Sequence, residues 1–195
     1  MIQKMRKKGE KGFTIPQFAT YRVRANNTSA EALNKNIVNS QAALNSDLGV
    51  YGISDTAASL TVAPGGTGAG TELPGWDGSI LAATRAIAGA MVTGTANSGA
   101  ISGVGFTVPD GIDCIAAAGG AGGNASYQIV TEHTNGNRAY GSDSEVSDVM
   151  YFVQNDDWNG VTTINATTMA VSDTAVEFEG ADGGGAPSNT WFLLE

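Results

Sequence analysis

The stretch from Asn155 to Gly160 carries oxygen-bearing side chains at the spacing of a calcium-binding loop. Asn155, Asp157 and Asn159 stand at positions one, three and five of such a loop, and Gly160 stands at position six, where the chain must turn sharply. The twelfth position, which normally supplies a bidentate glutamate, holds Ala166. The pattern therefore favours a turn between strands, with Asn155, Asp157 and Asn159 as the alternative calcium ligands.

The chain has one cysteine, Cys114, and one histidine, His133. A thiol enzyme needs these two side chains in contact, and nothing in the sequence brings them together. Cys114 lies in an apolar, strand-like run, which favours a buried and inert thiol, and a single cysteine excludes an intrachain disulfide. His133 stands at a strand end and is expected at the surface or facing a neighbouring strand. The sequence predicts no catalytic centre and no cofactor.

Charge is unevenly distributed along the 195 residues. Residues 1 to 12 hold five basic residues and one acidic residue, so the formal charge of −9 for the whole chain leaves −13 for the remainder. Such a body disfavours nucleic acid and anionic lipid as partners, because their phosphates would be repelled. The carboxylates of Asp143, Glu145 and Asp148 are interpreted first as a solvated loop and second as a surface metal site.

The apolar runs are short. The chain has 42% hydrophobic residues, enough for one folded domain with an appendage. No run reaches the roughly 18 residues that span a bilayer, and the basic start lacks the apolar segment of a secretory signal peptide. We therefore expect the chain, as it stands, to be soluble.

A single long helix is predicted from Pro16 to Leu48. Proline suits the first turn of a helix, and Gly49 suits the position just past its end. An apolar stripe follows the helical repeat, and its members are Leu33, Ile37, Leu44 and Leu48. Ala30 and Gln41 lie on the same face between them. A continuous helix would be roughly 50 Å long. The alternative is a break near Asn27, with Thr28 and Glu31 forming a capping box.

Strand-like segments dominate the second half of the chain. Glycine-rich loops and Asn-Gly or Pro-Asp-Gly turns separate them, and residues 80–92 are ambiguous between helix and strand. The predicted strands are 100–108, 112–117, 126–133, 146–154, 162–166, 169–171, 175–179 and 191–194. Short connections between consecutive strands favour an antiparallel sheet. The expected fold class is α+β, with the C-terminal half of the helix packed on one face of the sheet.

The first residues resemble those of a known family. The segments Lys11-Gly12-Phe13-Thr14 and Ile15-Pro16-Gln17-Phe18-Ala19-Thr20-Tyr21-Arg22 resemble the leader end and the stem of a type IVa pilin. The style is closest to the short-leader pilins of Geobacter-like, deltaproteobacterial species. The resemblance implies that a prepilin peptidase cuts between Gly12 and Phe13, and that Phe13 becomes an N-methylated N-terminus.

One part of the family pattern is missing. In the family an apolar helix lies between the segments that here meet at Thr14 and Ile15, and a glutamate follows the phenylalanine by four residues, where this chain has Gln17. The resemblance implies that about 18 to 20 residues, one bilayer's worth of helix, are absent. We expect that this span was removed to make a soluble form, or was lost for another reason. The chain should then be processed poorly and should not form ordinary filaments.

The resemblance divides the chain into three parts and gives it a role. Residues 1–12 are a basic leader, 13–49 a truncated stem helix and 50–195 a globular pilin-like β-domain. The implied protein is a non-enzymatic subunit of a type IV pilus, an extracellular filament used in adhesion, motility or electron transfer. Its partners would be other pilin subunits, the prepilin peptidase and the inner-membrane assembly machinery, with the parent inserted in the inner membrane before assembly.

The stem aromatics and three alternative roles complete the expectations. Phe13, Phe18 and Tyr21 are interpreted as packing groups of the stem, or as charge-transfer groups along a filament. A secreted β-rich binding or adhesin module would expose aromatic side chains around Tyr127, Tyr140, Tyr151, Trp158 or Trp191. A pseudopilin of a type II secretion system would hold calcium in its C-terminal loops. An enzyme would need a cleft that joins His133, Cys114 and a carboxylate.

Overall fold

One helix is followed by two antiparallel sheets in the computed structural model, which describes residues 15–56, 73–74, 90–119, 124–146, 148–156, 178 and 191–195. Helix α1 spans Ile15–Leu48. The nine described strands are β1 (Ile53–Thr56), β2 (Leu73–Pro74), β3 (Ala90–Thr95), β4 (Ile101–Gly105), β5 (Ile112–Gly119), β6 (Ser126–His133), β7 (Arg138–Asp143), β8 (Tyr151–Gln154) and β9 (Phe192–Leu193). The predicted α+β class, with a helix packed on sheets, is confirmed.

Helix α1 is continuous across its polar middle. Asn27 and Thr28 both lie inside it, and the Thr28 hydroxyl donates to the carbonyl of Arg24 at 3.0 Å instead of capping a new helix. The alternative of a break near Asn27 is therefore wrong. The helix ends as predicted, with Gly49 at φ +72° and its N–H bonded to the carbonyl of Asn45 at 2.8 Å. No helix among the described residues has the length and apolarity needed to cross a bilayer.

The strands form two sheets where one was expected. The smaller has the order β1-β3-β4 and the larger the order β2-β5-β6-β7-β8-β9. Part of the join between them is made by Ser54 on β1, whose hydroxyl accepts from the N–H of Ala116 at 3.0 Å and donates to its carbonyl at 3.3 Å. A buried hydroxyl thus satisfies backbone groups that the edge of β5 would otherwise leave open.

Several strand boundaries differ from the predictions. The strand expected over 100–108 ends at Gly105, and the one expected over 146–154 is confined to Tyr151–Gln154. Strand β7 was missed, because Arg138–Asp143 has little apolar alternation. The ambiguous stretch 80–92 ends in β3, and its residues 80–89 lie outside the described residues. The strands predicted over 162–166, 169–171 and 175–179 also lie outside them, apart from Phe178.

Both faces of the larger sheet carry buried side chains. On one face, helix residues and alternate residues of β5, β6 and β7 make a single core, whose largest members are Leu33, Ile37, Leu44, Ile112, Ile129 and Tyr140. On the other face a second core contains Ile115, Ala117, Val130, Ala139, Tyr151, Val153, Phe178 and Trp191. The strands β5 and β6 are therefore buried on both sides, which explains their nearly unbroken burial.

One glycine is needed for the second core. A Cβ placed on Gly141 of β7 would lie 2.5 Å from the ring of Phe178, too close for any side chain. The ring instead stacks on Tyr151, with centroids 5.6 Å apart, and meets Trp191 edge-on at 4.7 Å. The glycine that weakens the sequence signal of β7 is thus the residue that lets this aromatic cluster pack.

Three buried amide side chains fasten the helix to the sheets. Asn27, Asn34 and Gln41 are seven residues apart and lie on the packed face of α1. Asn27 donates to the Asn137 side chain at 2.8 Å and accepts from the Asn137 N–H at 3.1 Å. Gln41 donates to the carbonyl of Gly52 at 2.6 Å and accepts from its N–H at 2.8 Å. We call these three residues the amide clamps.

The middle clamp, Asn34, is fully buried, as is Gln41. Asn34 donates to the carbonyl of Tyr140 at 3.2 Å and accepts from the hydroxyl of Ser142 at 2.6 Å. Beside it, the hydroxyl of Thr131 donates to the helix carbonyl of Ala30 at 2.8 Å. Because every clamp uses both its donor and its acceptor, the polar groups are satisfied inside an apolar interface.

Replacement of Asn34 by alanine should destabilise the fold. The change leaves the Ser142 hydroxyl and the Tyr140 carbonyl buried without their helix partner, a loss of about 1–3 kcal/mol in the free energy of unfolding. Urea unfolding followed by tryptophan fluorescence measures it. The matched control is Asn36→Ala at an exposed position of the same helix, expected within about 0.5 kcal/mol of the parent. Equal stabilities of the two variants would contradict the clamp.

Candidate interaction surface

The first turns of α1 present their side chains to solvent. Residues 17 to 22 are all exposed, including Phe18 at 61% and Tyr21 at 63%. Residues three and four apart are neighbours on a helix surface, so Phe18, Tyr21 and Arg22 form one patch. We call these three residues the helix patch. Two large aromatic side chains with this exposure are unusual on a helix that is otherwise well packed.

The contacts of α1 with the sheets begin at Asn26. The side-chain amide of Asn26 donates to the carbonyl of Asn135 at 2.9 Å, and the clamp at Asn27 follows directly. From Ala30 to Leu44 the inward positions are fully buried. About eleven residues, roughly 16 Å of helix, therefore precede the part that is fastened to the sheets.

A polar groove of about 780 Å³ lies beside this change. The helix forms one wall, and the ends of β7 and β8 form the other; its lining includes Val23, Arg24, Glu31, Arg138, Gln154 and Asp156. Asn137 donates to Asp156 at 2.6 Å, and Arg138 donates to Gln154 at 2.8 Å. The polar groups of this wall are thus already engaged with one another.

The residues predicted for leader processing lie outside the described part of the chain. Neither Gly12 nor Phe13 is described, so the cleavage site stays a prediction. Of the three stem aromatics, Phe18 and Tyr21 are placed, on one exposed helix face.

The calcium candidates are only partly placed. Asn155 is described, and its N–H donates to the carbonyl of Asn137 at 3.0 Å, which continues the pairing of β7 and β8. Asp157 and Asn159 lie outside the described residues. Among the residues that the structure describes, no three His, Cys, Asp or Glu side chains converge as metal ligands. Calcium binding at this loop stays an untested alternative.

Cys114 and His133 lie on neighbouring strands of the same sheet face. Cys114 is paired with Thr131, two residues before His133, and is fully buried in the helix-side core. His133 is partly buried, and its Nδ1 accepts from the N–H of Asn135 at 3.0 Å. Burial lowers the pKa of His133, which favours the neutral ring that this hydrogen bond requires. The sequence did not bring these two residues together, whereas the strand pairing places them on one face of adjacent strands. The thiol itself lies inside the core.

The acidic segment after β7 is less solvated than predicted. Asp143 belongs to β7 and is buried, and its Oδ1 accepts from the N–H of Glu145 at 2.9 Å. Partial burial raises the pKa of Glu145, and the neighbouring Asp143 carboxylate adds to the effect. The interpretation of a solvated loop holds for exposed Asp148 and is wrong for Asp143.

The aromatic residues that a β-rich binding module would expose are buried where they are described. Tyr127, Tyr140, Tyr151 and Trp191 all belong to one or other core, and Trp158 lies outside the described residues. Burial raises the pKa of the Tyr140 hydroxyl, in keeping with its position under the helix. Exposed aromatic side chains lie instead on the helix, at Phe18 and Tyr21, and on β9, at Phe192.

Sequence reasoning missed two of the amide clamps. It placed Gln41 in the apolar stripe and left Asn27 and Asn34 unassigned. The signal was available, because amide side chains recur at an interval of seven residues, in phase with Ala30, Ile37 and Leu44. A polar residue repeated at an inward position indicates buried hydrogen bonding to a partner.

Comparison with known proteins gives no relative. No family model, no curated protein and no solved structure matches the chain. The function has to be argued from the residues and their geometry.

His133 should titrate below its ordinary range. Burial disfavours the imidazolium, so the pKa in the folded chain should lie below 6.5, and the stability linked to the neutral ring is lost as the pH falls from 6.5 through that value. His133 is the single histidine, so its imidazole proton signal in NMR needs no assignment. The chain unfolded in urea serves as control, with a midpoint at the ordinary histidine pKa of about 6.5. A folded midpoint at or above 6.5 would contradict the burial.

Removal of the helix patch should leave the fold intact. The double replacement Phe18→Ala and Tyr21→Ala deletes exposed side chains and should change the free energy of unfolding by less than about 1 kcal/mol. Leu33→Ala, the matched change on the buried face, should cost about 2–5 kcal/mol. Thermal and urea unfolding compare the two. A large loss in the double variant would mean that the patch stabilises the monomer and is not kept for a partner.

Proposed function

We propose that this chain is the body of a type IV pilin, a filament subunit whose membrane-spanning and filament-core helix is absent. The parent would be inserted in the inner membrane, cut after Gly12 and polymerised into an extracellular fibre. The role is structural, with other subunits as the main partners and no reaction catalysed.

The observation that carries this proposal is the division of α1 into an exposed first part, about eleven residues long, and a longer part fastened to the sheets. A helix that served only the monomer would bury an apolar face along its whole length. Here the first turns expose two aromatic side chains, Phe18 and Tyr21, directly after the junction at which the resemblance places a missing apolar span. A stem that continues upwards into a bundle of neighbouring helices accounts for both features.

Two further observations support the proposal. The body carries a large negative charge and few basic residues, which keeps a fibre soluble without attracting nucleic acid. The amide clamps hold the stem in one register on the sheets, which a subunit needs if its stem position is to fix the position of its body. Against the alternative of a secreted binding module, the side chains of Tyr127, Tyr140, Tyr151 and Trp191, which such a module was expected to expose, are buried.

Restoring the span tests the proposal. An apolar helix of about 20 residues, with a glutamate four residues beyond Phe13, is inserted between Thr14 and Ile15. The gene is expressed in a bacterium that has type IV pilus machinery and lacks its own major pilin. We expect mass spectrometry to find an N-methylated Phe13 terminus and electron microscopy to find fibres.

Two controls sharpen the result. Gly12→Val should block cleavage of the restored chain, because a branched side chain keeps the peptidase from the backbone. The chain without the span should stay largely uncut. Cleavage at another position would contradict the proposal. Complete cleavage without fibres would also contradict it, provided that the same host forms fibres when its own pilin gene is put back.

A further inference from the structure

The helix leaves part of the larger sheet uncovered. Its main contacts are with β3 to β7, and β8 and β9 extend beyond them. On this uncovered area Phe192 of β9 is 57% exposed, and its ring lies 5.9 Å from that of Phe152 on β8. Phe192 and Phe152 are paired in register, so they lie on the same face as the helix.

A cation lies over this area. The guanidinium of Arg138 lies over the ring of Phe152, 4.6 Å from its centroid, and its Nε donates to Gln154 at 2.8 Å. A guanidinium held in this way loses little further freedom when another group packs on it. We call Phe152, Phe192 and Arg138 the sheet strip.

The helix patch and the sheet strip account for most of the exposed large apolar side chains. In the described residues these are Phe18, Tyr21, Ile101, Phe192 and Leu193. Two aromatic side chains stand on the helix, and the exposed phenylalanine of the sheet belongs to the strip. The chain therefore presents two separate aromatic surfaces, each rimmed by polar residues.

The charges around the two surfaces are opposite. Exposed Arg22 belongs to the helix patch, and exposed Arg24 follows it. Exposed Asp156 follows β8 and exposed Glu195 follows β9, so two carboxylates outnumber the guanidinium of Arg138 around the sheet strip. Complementary potentials of this kind favour contact between the two surfaces over contact of either surface with its own copy.

We propose that the sheet strip receives the helix patch of a second copy of this chain. The inference rests on the proposed function and names the contact through which neighbouring bodies would be joined. Because the two surfaces differ, the contact is heterologous, and repetition adds one copy after another instead of closing a symmetric dimer. That is the geometry a filament needs.

The size of the contact sets how it must be measured. Two aromatic side chains bury about 150–250 Å² each, so the patch alone falls well below the roughly 1,000 Å² of a stable interface. Isolated chains should associate weakly and transiently, with the restored stem supplying the remaining cohesion in a fibre. Covalent trapping is therefore a better test than a search for a stable dimer.

Mixed single-cysteine variants provide the trap. Tyr21→Cys is made in one preparation and Phe192→Cys in another that carries a mass tag, and the two are mixed and oxidised. The native Cys114 is fully buried and stays in both. We expect the mixed disulfide to exceed each homodimer several-fold, and Phe18→Ala in the first chain to lower its yield several-fold. Gln17→Ala, an exposed neighbour of Phe18, should leave the yield unchanged.

Ile101→Cys is the positional control, since Ile101 is also exposed and belongs to neither surface. The yield of the Tyr21→Cys/Phe192→Cys disulfide is compared with the yield of the Tyr21→Cys/Ile101→Cys disulfide. Equal yields would overturn the contact. A dominant homodimer of either variant would also overturn it, because it would mean that like surfaces meet.

The outcomes separate this contact from the proposed function. Suppose that the restored chain forms fibres equally well with and without Phe192→Ala, and that no mixed disulfide forms. That result would overturn the contact and leave the pilin proposal standing. A strong mixed disulfide in a chain that the peptidase does not cut would support the contact and count against the pilin proposal.

Discussion

The structure depends on a helix that is held to its sheets by hydrogen bonds as well as by apolar contact. Apolar burial alone would tolerate a slip of α1 by one turn, because leucine and isoleucine recur along the same face. A slip of three residues would put Ala30, Ile37 and Leu44 in place of the three clamps, and the groups of Asn137, Ser142 and Gly52 would lose their partners. The amide clamps therefore select one register, much as a single buried asparagine does in a coiled coil.

The two-sided burial of the larger sheet follows from this arrangement. Because the helix takes one face of β5 and β6, the second core must cover the other, and the glycine at 141 makes room for the Phe178 ring that does so. Among the described residues, the strands that the helix does not reach expose Phe192 on the face that the helix covers elsewhere. The exposed aromatics on the sheet are therefore a result of where the helix lies, and the helix lies where the clamps put it.

The sequence predicted those elements whose signals are local. Pro16, Gly49 and the stripe through Leu33 fix the limits and inward face of α1, and the apolar alternation of Ile112–Gly119 and Ser126–His133 gives two strands. Strand β7 carries no such signal. Gly141 makes room for Phe178, and Ser142 donates to Asn34, so both residues serve contacts with distant segments. The contact between the two sheets likewise includes a long-range pair, Ser54 with Ala116, that has no local signal. For the candidate site, the resemblance singled out Phe18 and Tyr21, whereas the sheet strip exists only through the pairing of Phe152 with Phe192.

The clamps also bear on how the chain would carry load. A pull along α1 acts on all three amide pairs together, in shear, so that no one pair can open while the others hold the helix in place. Such an arrangement resists tension until it gives way as a unit, unlike a zipper that opens one bond at a time from an end. A stem anchored in this manner would transmit a pull applied at its upper end into the β-domain without sliding past it.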